Sequence, residues 1–302
     1  MRKLLSPPQA RRRRALRAAA AVAAGCIAPA LRAQGAPVRR VVAVGGSLTE
    51  TVYALGAEAE LVGVDTTSIY PPQAAQLPRV GYLRQLSAEG VLSLRPTLVV
   101  AAASVGPPAV VRQLQAARVG FELFDTDHRL DGVLAMARRL GGVLGRADAG
   151  ERLAAQIADD FARAQREVAA LNAGRAPLRV LFVLSHTPHQ VQIGGAGTAA
   201  DAVITLAGAR NALAGMRGFR PLTPEAAIAA APDLILVTTQ GLRQAGGVDG
   251  LLRAPGLAAT AAGRARRVAA LDALLLLGFG PRLPQAVGDL AQALHAAAPA
   301  RG

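Results

Sequence analysis

Residues 84–101 (RQLSAEGVLSLRPTLVVA) recur without a gap at residues 220–237 (RPLTPEAAIAAAPDLILV), and the second copy's apolar strand runs on to Thr238. Leu86 pairs with Leu222. Ser87 pairs with Thr223, and both are residue types that cap a helix start through a side-chain oxygen. Two residues on, Glu89 and Glu225 each fall in a helix first turn, where the positive end of the dipole favours an acid. Pro96 and Pro232 each end that helix ahead of an apolar strand, 98–101 in one copy and 234–238 in the other. Solenoid units run to only ~20–50 residues, so these two copies are too far apart to belong to one. The repeat constrains the chain to two related lobes, each displaying one acid at an equivalent place. Such a protein can hold a ligand between its lobes and present two matched contacts to a two-fold partner.

At 302 residues with 52% hydrophobic content the chain has ample core, and its alternating strand and helix patterns predict a globular α/β fold. The net charge of +14 is unevenly spread. Residues 1–33 hold eight basic groups and no acid, which leaves +6 (14 − 8) for the rest. A nucleic-acid partner is disfavoured, because no basic run follows residue 40 and only three Tyr, six Phe and no Trp could stack on bases. The same 1–33 segment reads as an export signal: Arg11 to Arg14 are its charged region, and the apolar stretch from Ala18 to Ile27 is too short to span a bilayer. Cys26 is the sole cysteine and sits in a faint lipoprotein-like box that lacks the usual Leu three residues earlier. Cleavage downstream of it leaves a mature protein with no disulfide or thiolate chemistry.

The first lobe is expected over 38–145 and the second over 178–300. Each should carry a mainly parallel sheet, because its strands alternate with helices. Between them, Leu153, Ile157, Phe161, Ala164, Val168 and Leu171 form one helical stripe, with charges on the other faces. A helix over 146–173 would span about 40 Å at ~1.5 Å per residue, enough to bridge the two lobes along their backs. The second lobe is expected to repeat the first lobe's order of elements. A single-helix bridge also predicts small closure around a ligand rather than a wide swing.

The loop after the second strand, Asp65-Thr66-Thr67-Ser68-Ile69-Tyr70-Pro71-Pro72, lies where an open parallel sheet forms its ligand crevice. Two prolines stiffen it and keep Tyr70 out of a helix. A phenol held this way can ligate ferric iron or simply cap the packing of its own loop. The run from Gly63 to Pro71, continuing through Val80-Gly81-Tyr82-Leu83-Arg84 to Gly90, resembles the haem-binding periplasmic proteins of bacterial haem-uptake ABC importers. So do the run from Val180 to His186, the segment from Gly197 to Ala202, Arg220-Pro221-Leu222 and Leu277-Gly278-Phe279-Gly280. The resemblance covers residues 38–295. It implies two lobes bridged by a helix, a tyrosine iron ligand that maps onto Tyr70, and paired acids that dock on the permease, matching Glu89 and Glu225.

Tyr82, Arg84 and Arg220 are candidates for the haem pocket or its propionates. His186, which ends the strand opening the second lobe, is a candidate second-lobe haem contact. Tyr53 reads as core, and His128 and His295 have no suggestive partners. The loose dinucleotide fingerprint at residues 195–200 is discounted, because Arg217 and Arg220 stand where its acid should be. The expected function is capture of ferric haem in the periplasm by a monomer that is not an enzyme, with delivery to an ABC importer's permease dimer and its ATPase. A cobalamin or ferric-siderophore carrier is the alternative within the class. A secreted metallohydrolase using His186 and His189 is the remote one.

Overall fold

The computed structural model describes residues 39–186 and 190–297, with the backbone alone at Ser185 and His186. The export-signal segment, Cys26, His189 and the His186 side chain lie outside the described residues. The first lobe runs β1 (Val41–Val44), α1 (Gly46–Ala54), β2 (Leu61–Val64), β3 (Gly81–Tyr82), β4 (Gln85–Leu86), α2 (Ala88–Ser93), β5 (Leu98–Ala102), α3 (Pro108–Ala116), β6 (Gly120–Phe124) and α4 (Leu130–Val143). Its main sheet has the order β2-β1-β5-β6, parallel throughout. The unbroken apolar run of β1, VVAV, suits a strand covered on both faces, and all four residues are buried.

Helix α5 (Ala147–Asn172) follows as one uninterrupted element of 26 residues. The second lobe then runs β7 (Arg179–His186), β8 (Val191–Gly194), α6 (Ala199–Leu206), β9 (Arg210–Asn211), β10 (Phe219–Leu222), α7 (Pro224–Ala229) and β11 (Leu234–Thr238). It finishes with α8 (Thr239–Gln244), α9 (Val248–Leu252), α10 (Ala261–Arg264), β12 (Val268–Leu271), α11 (Ala273–Leu277) and α12 (Leu283–Ala297). Its sheet is β10-β8-β7-β11-β12, with β9 added to β7. Here the expected copy of the first lobe fails at the start. β1 is followed by a helix and a parallel strand, but β7 turns back directly into antiparallel β8, and β10 pairs antiparallel with β8. The parallel pairs β7–β11 and β11–β12 keep the lobe's centre like that of the first.

The sequence repeat is a structural repeat. Ser87 Oγ accepts from Gly90 N at 3.1 Å and Thr223 Oγ1 from Ala226 N at 3.2 Å, so each satisfies an orphan donor of its helix. Each helix is left through a left-handed residue just before the proline, Arg95 (φ 47°) and Ala231 (φ 43°). Few non-glycine residues take that conformation, and finding it at both equivalent places marks a shared backbone path.

The expected stripe on α5 is its buried or packing face. Ile157, Ala164 and Val168 are buried, and Leu153, Phe161 and Leu171 pack against the same core. That core joins Val133 and Ala137 of α4 to Phe182, Leu236 and Leu290 of the second lobe, so α5 is glued to both sides. Helices α4 and α5 meet glycine to glycine: a Cβ on Gly141 would lie 2.8 Å from the Gly150 Cα, and one on Gly150 would lie 2.9 Å from the Ala137 carbonyl oxygen. No helix among the described residues is long and apolar enough to cross a membrane.

This crossing can be tested. Gly150→Val must push two backbones apart and should cost about 1–3 kcal/mol in denaturant unfolding. Gly142→Ala, on the same α4 but facing open space, should instead leave stability unchanged or raise it by up to about 1 kcal/mol.

Candidate ligand-binding cleft

A cavity of about 530 Å³ lies between the lobes. Its first-lobe wall is built from the segments that leave the carboxyl ends of the parallel strands: Gly45 to Ser47 after β1, Thr66, Thr67 and Ile69 after β2, Ala102 and Ser104 at β5, and Thr126 and His128 after β6. This is where an open α/β sheet leaves room, because loops splay apart at the strand ends. The second lobe contributes Phe219, Gln240, Leu274 and Leu277, so the walls are mainly apolar with a few polar groups. The lobes already touch beside the cavity. A Cβ on Gly46 would meet Leu274 Cδ1 at 2.5 Å and the Thr67 carbonyl oxygen at 2.7 Å, and only glycine fits at that helix start.

The loop after β2 is stiffer than its prolines alone make it. Asp65 is fully buried. Its Oδ1 accepts from Gly45 N (2.9 Å) and Ser68 Oγ (2.7 Å), and its Oδ2 accepts from Thr67 N (3.0 Å) and Thr67 Oγ1 (2.7 Å). Arg79 Nη1 donates to the carbonyls of Asp65 and Ser68, at 2.6 and 3.0 Å. A carboxylate so fully bonded fixes the loop on the start of α1, and losing it would strand several buried donors.

Ile69 lines the cavity, and Tyr70 is its neighbour just outside the lining. Tyr70 is 40% exposed, and its ring carries the Arg282 guanidinium 3.5 Å from its centroid. Arg282 comes from the second lobe and is itself held by Glu50 of α1, Nε to Oε1 at 2.7 Å and Nη2 to Oε2 at 3.1 Å. Only 6% of the Glu50 side chain reaches solvent. Burial pushes its carboxyl above the ordinary 4.5, and the bonds and charge of Arg282 pull it back.

The other expected site residues divide. Arg84 is exposed and lines the cavity. Arg220 and Tyr82 are also exposed, but their neighbours Phe219 and Leu83 form the wall instead. Arg220 Nε donates to the Arg217 carbonyl at 3.1 Å. Glu89 and Glu225 are exposed on the first turns of α2 and α7. Tyr53 is half-buried against the first-lobe core, and burial first, then the charge of Glu58, raises its phenol above 10.0.

Two features escape the sequence. The Glu50–Arg282 pair spans 232 positions and belongs to no motif; its only trace is an acid inside the otherwise apolar and small start of α1. His128, which had no sequence partner, lines the cavity and packs on Phe279 of the second lobe with ring centroids 5.1 Å apart. Burial lowers its imidazole below the ordinary 6.5, with Asp127 opposing.

Two α/β lobes backed by one helix, with a cavity at their strand ends, define a two-lobed binding protein of the helix-bridged kind. The chain belongs to the periplasmic binding protein family, whose profile matches residues 41–275. It is 49% identical to the periplasmic heme-binding protein BhuT in complex with two hemes, with TM-score 0.82 over 86% of this chain and 98% of that one. It is 45% identical to the periplasmic heme-binding protein RhuT from Roseiflexus sp. RS-1 in apo form, with the same TM-score and coverage. A vitamin B12-binding protein of Vibrio cholerae is 29% identical over 163 residues, which span 54% of this chain and 57% of that protein's length.

His128 gives a pH test of the cavity wall. The folded protein resists protonating it, whereas the unfolded chain takes the proton near pH 6.5. The stability it contributes is therefore present above 6.5 and is lost as pH falls through the lowered folded value. The drop in melting temperature from about pH 7.5 to about pH 5.5 should be smaller in His128→Gln than in the parent.

Proposed function

We propose that the chain is a periplasmic haem carrier that captures ferric haem between its lobes and delivers it to an ABC importer's permease dimer and ATPase. No covalent bond of the cargo is made or broken. The observation that carries this reading is the apolar cavity of about 530 Å³ at the strand ends, with the Tyr70 loop pinned at its edge by Asp65. That volume lies within the ~300–1,000 Å³ typical of small-molecule sites. The similarity to heme-binding proteins extends over 98% of their length at 49% and 45% identity, which favours haem as the cargo.

Tyr70 is assigned as the iron ligand. A phenolate oxygen is a hard donor suited to the ferric ion, and its proton leaves to solvent as the bond forms. Arg84 meets a haem propionate, Tyr82 and Arg220 complete the edge of the pocket, and His186 is the second-lobe contact. Glu89 and Glu225 dock the two lobes on matching basic residues of the permease. The protein acts as an exported monomer, and the permease separates the lobes to release the cargo. The second reading, a cobalamin carrier, rests on the similarity to the vitamin B12-binding protein. A cobalamin with its nucleotide loop is much bulkier than haem and brings its own axial base, so it has no use for a tyrosine on the metal.

Visible absorption decides between them. Haem-loaded parent protein should show a phenolate-to-iron charge-transfer band. Tyr70→Phe should abolish it and weaken binding roughly 10- to 100-fold, whereas Tyr82→Phe should keep it. An unchanged spectrum in Tyr70→Phe removes Tyr70 from the iron.

Charge reversal tests docking. Glu89→Arg with Glu225→Arg should leave haem binding intact while abolishing transport and stimulation of the importer's ATPase. If the two acids serve only their helix dipoles, worth about 0.3–1 kcal/mol each, transport survives and only the melting temperature falls.

A further inference from the structure

We infer that Arg282 is the positioning residue for Tyr70: anchored across the lobe junction by Glu50, its guanidinium seats the Tyr70 ring and fixes where the phenol oxygen stands. This rests on Tyr70 being the iron ligand. The argument starts from what the loop lacks. The Asp65 network and Arg79 hold the backbone only as far as Ser68, two residues short of Tyr70. Tyr70 is 40% exposed, so packing encloses its side chain only in part.

Arg282 supplies that support. Its two bonds to Glu50 are in fork geometry, and both side chains are largely buried, at 19% and 6% exposure. Glu50 stands on α1, whose start is itself bonded to the same loop through Gly45 and Gly46. The guanidinium is therefore held in place, with its carbon over the ring at 3.5 Å from the centroid. A planar cation over an aromatic face holds the ring electrostatically and leaves the oxygen at the ring edge free to reach iron. The support comes from the opposite lobe. Drawing the lobes apart would thus unseat the ligand and open the cleft in one movement.

A purely structural role, in which Arg282 only neutralises buried Glu50, makes a different prediction. Lysine can neutralise Glu50 but has no planar face. In haem-free protein with labelled tyrosine, the Tyr70 ring resonances, identified by their loss in Tyr70→Phe, should move in Arg282→Lys and Arg282→Gln. In haem-loaded protein both variants should shift the charge-transfer band and release haem to apomyoglobin roughly tenfold faster. Glu50→Gln/Arg282→Gln removes both charges together and serves if Arg282→Gln alone does not fold. Parent-like ring resonances and band in Arg282→Lys, with a folded protein, overturn the proposal. A band that persists in Tyr70→Phe instead overturns the iron-ligand reading, and the haem-free ring resonances still decide whether Arg282 seats Tyr70.

Discussion

A helix as long as α5 keeps its apolar stripe out of water only by lying on something along its whole length. Here it lies on α4 on one side and on α12 on the other. That arrangement makes the core continuous from Val133 of the first lobe to Leu290 of the second. The glycine contact at Gly141 and Gly150 brings the helix backbones close enough for this. With the backs joined, the carboxyl ends of the parallel strands of both sheets bound a common space, and the cavity follows from the packing. The chemistry then depends on which side chains these strand ends carry.

Glu50 and Arg282 tie the same two lobes close to the site. A buried carboxylate is costly unless paired, and an arginine with two matched hydrogen bonds is the pairing that offsets most of the cost. The net contribution of such a pair to stability is small, but removing one partner leaves an uncompensated charge. Its value to this protein lies in register: α1, the Tyr70 loop and the segment before α12 can meet in one way only. The Asp65 network performs the matching task within the first lobe.

Much of this was legible in the sequence. The strands β1, β2 and β11 and the stripe on α5 follow from apolar runs and helical spacing, which are local signals. The repeat located the two capped helices and their acids, and even the proline at each exit. The antiparallel β8 and β10 were not legible, because an apolar strand does not state the direction of its partner. The contacts of Glu50 with Arg282 and of His128 with Phe279 were hidden for a related reason. Each joins residues far apart in the chain, and the one local trace, an acid in an otherwise apolar and small helix start, names no partner. The Tyr70 loop and its prolines are legible by position and resemblance, but the Asp65 network that stiffens it further is not. A buried aspartate at the end of a strand looks like any other turn residue until its four donors are seen.

The contact between Gly46 and Leu274 bears on selectivity. Under the carrier reading, lobes that touch beside the cavity and share one core along the back would make the opening a slot. A flat, rigid macrocycle can slide into such a slot edge first, whereas a ligand with bulk above or below its ring plane must force the slot wider. Discrimination would then be made on thickness before any polar group is read, and it would show in the rate of entry as much as in the final affinity.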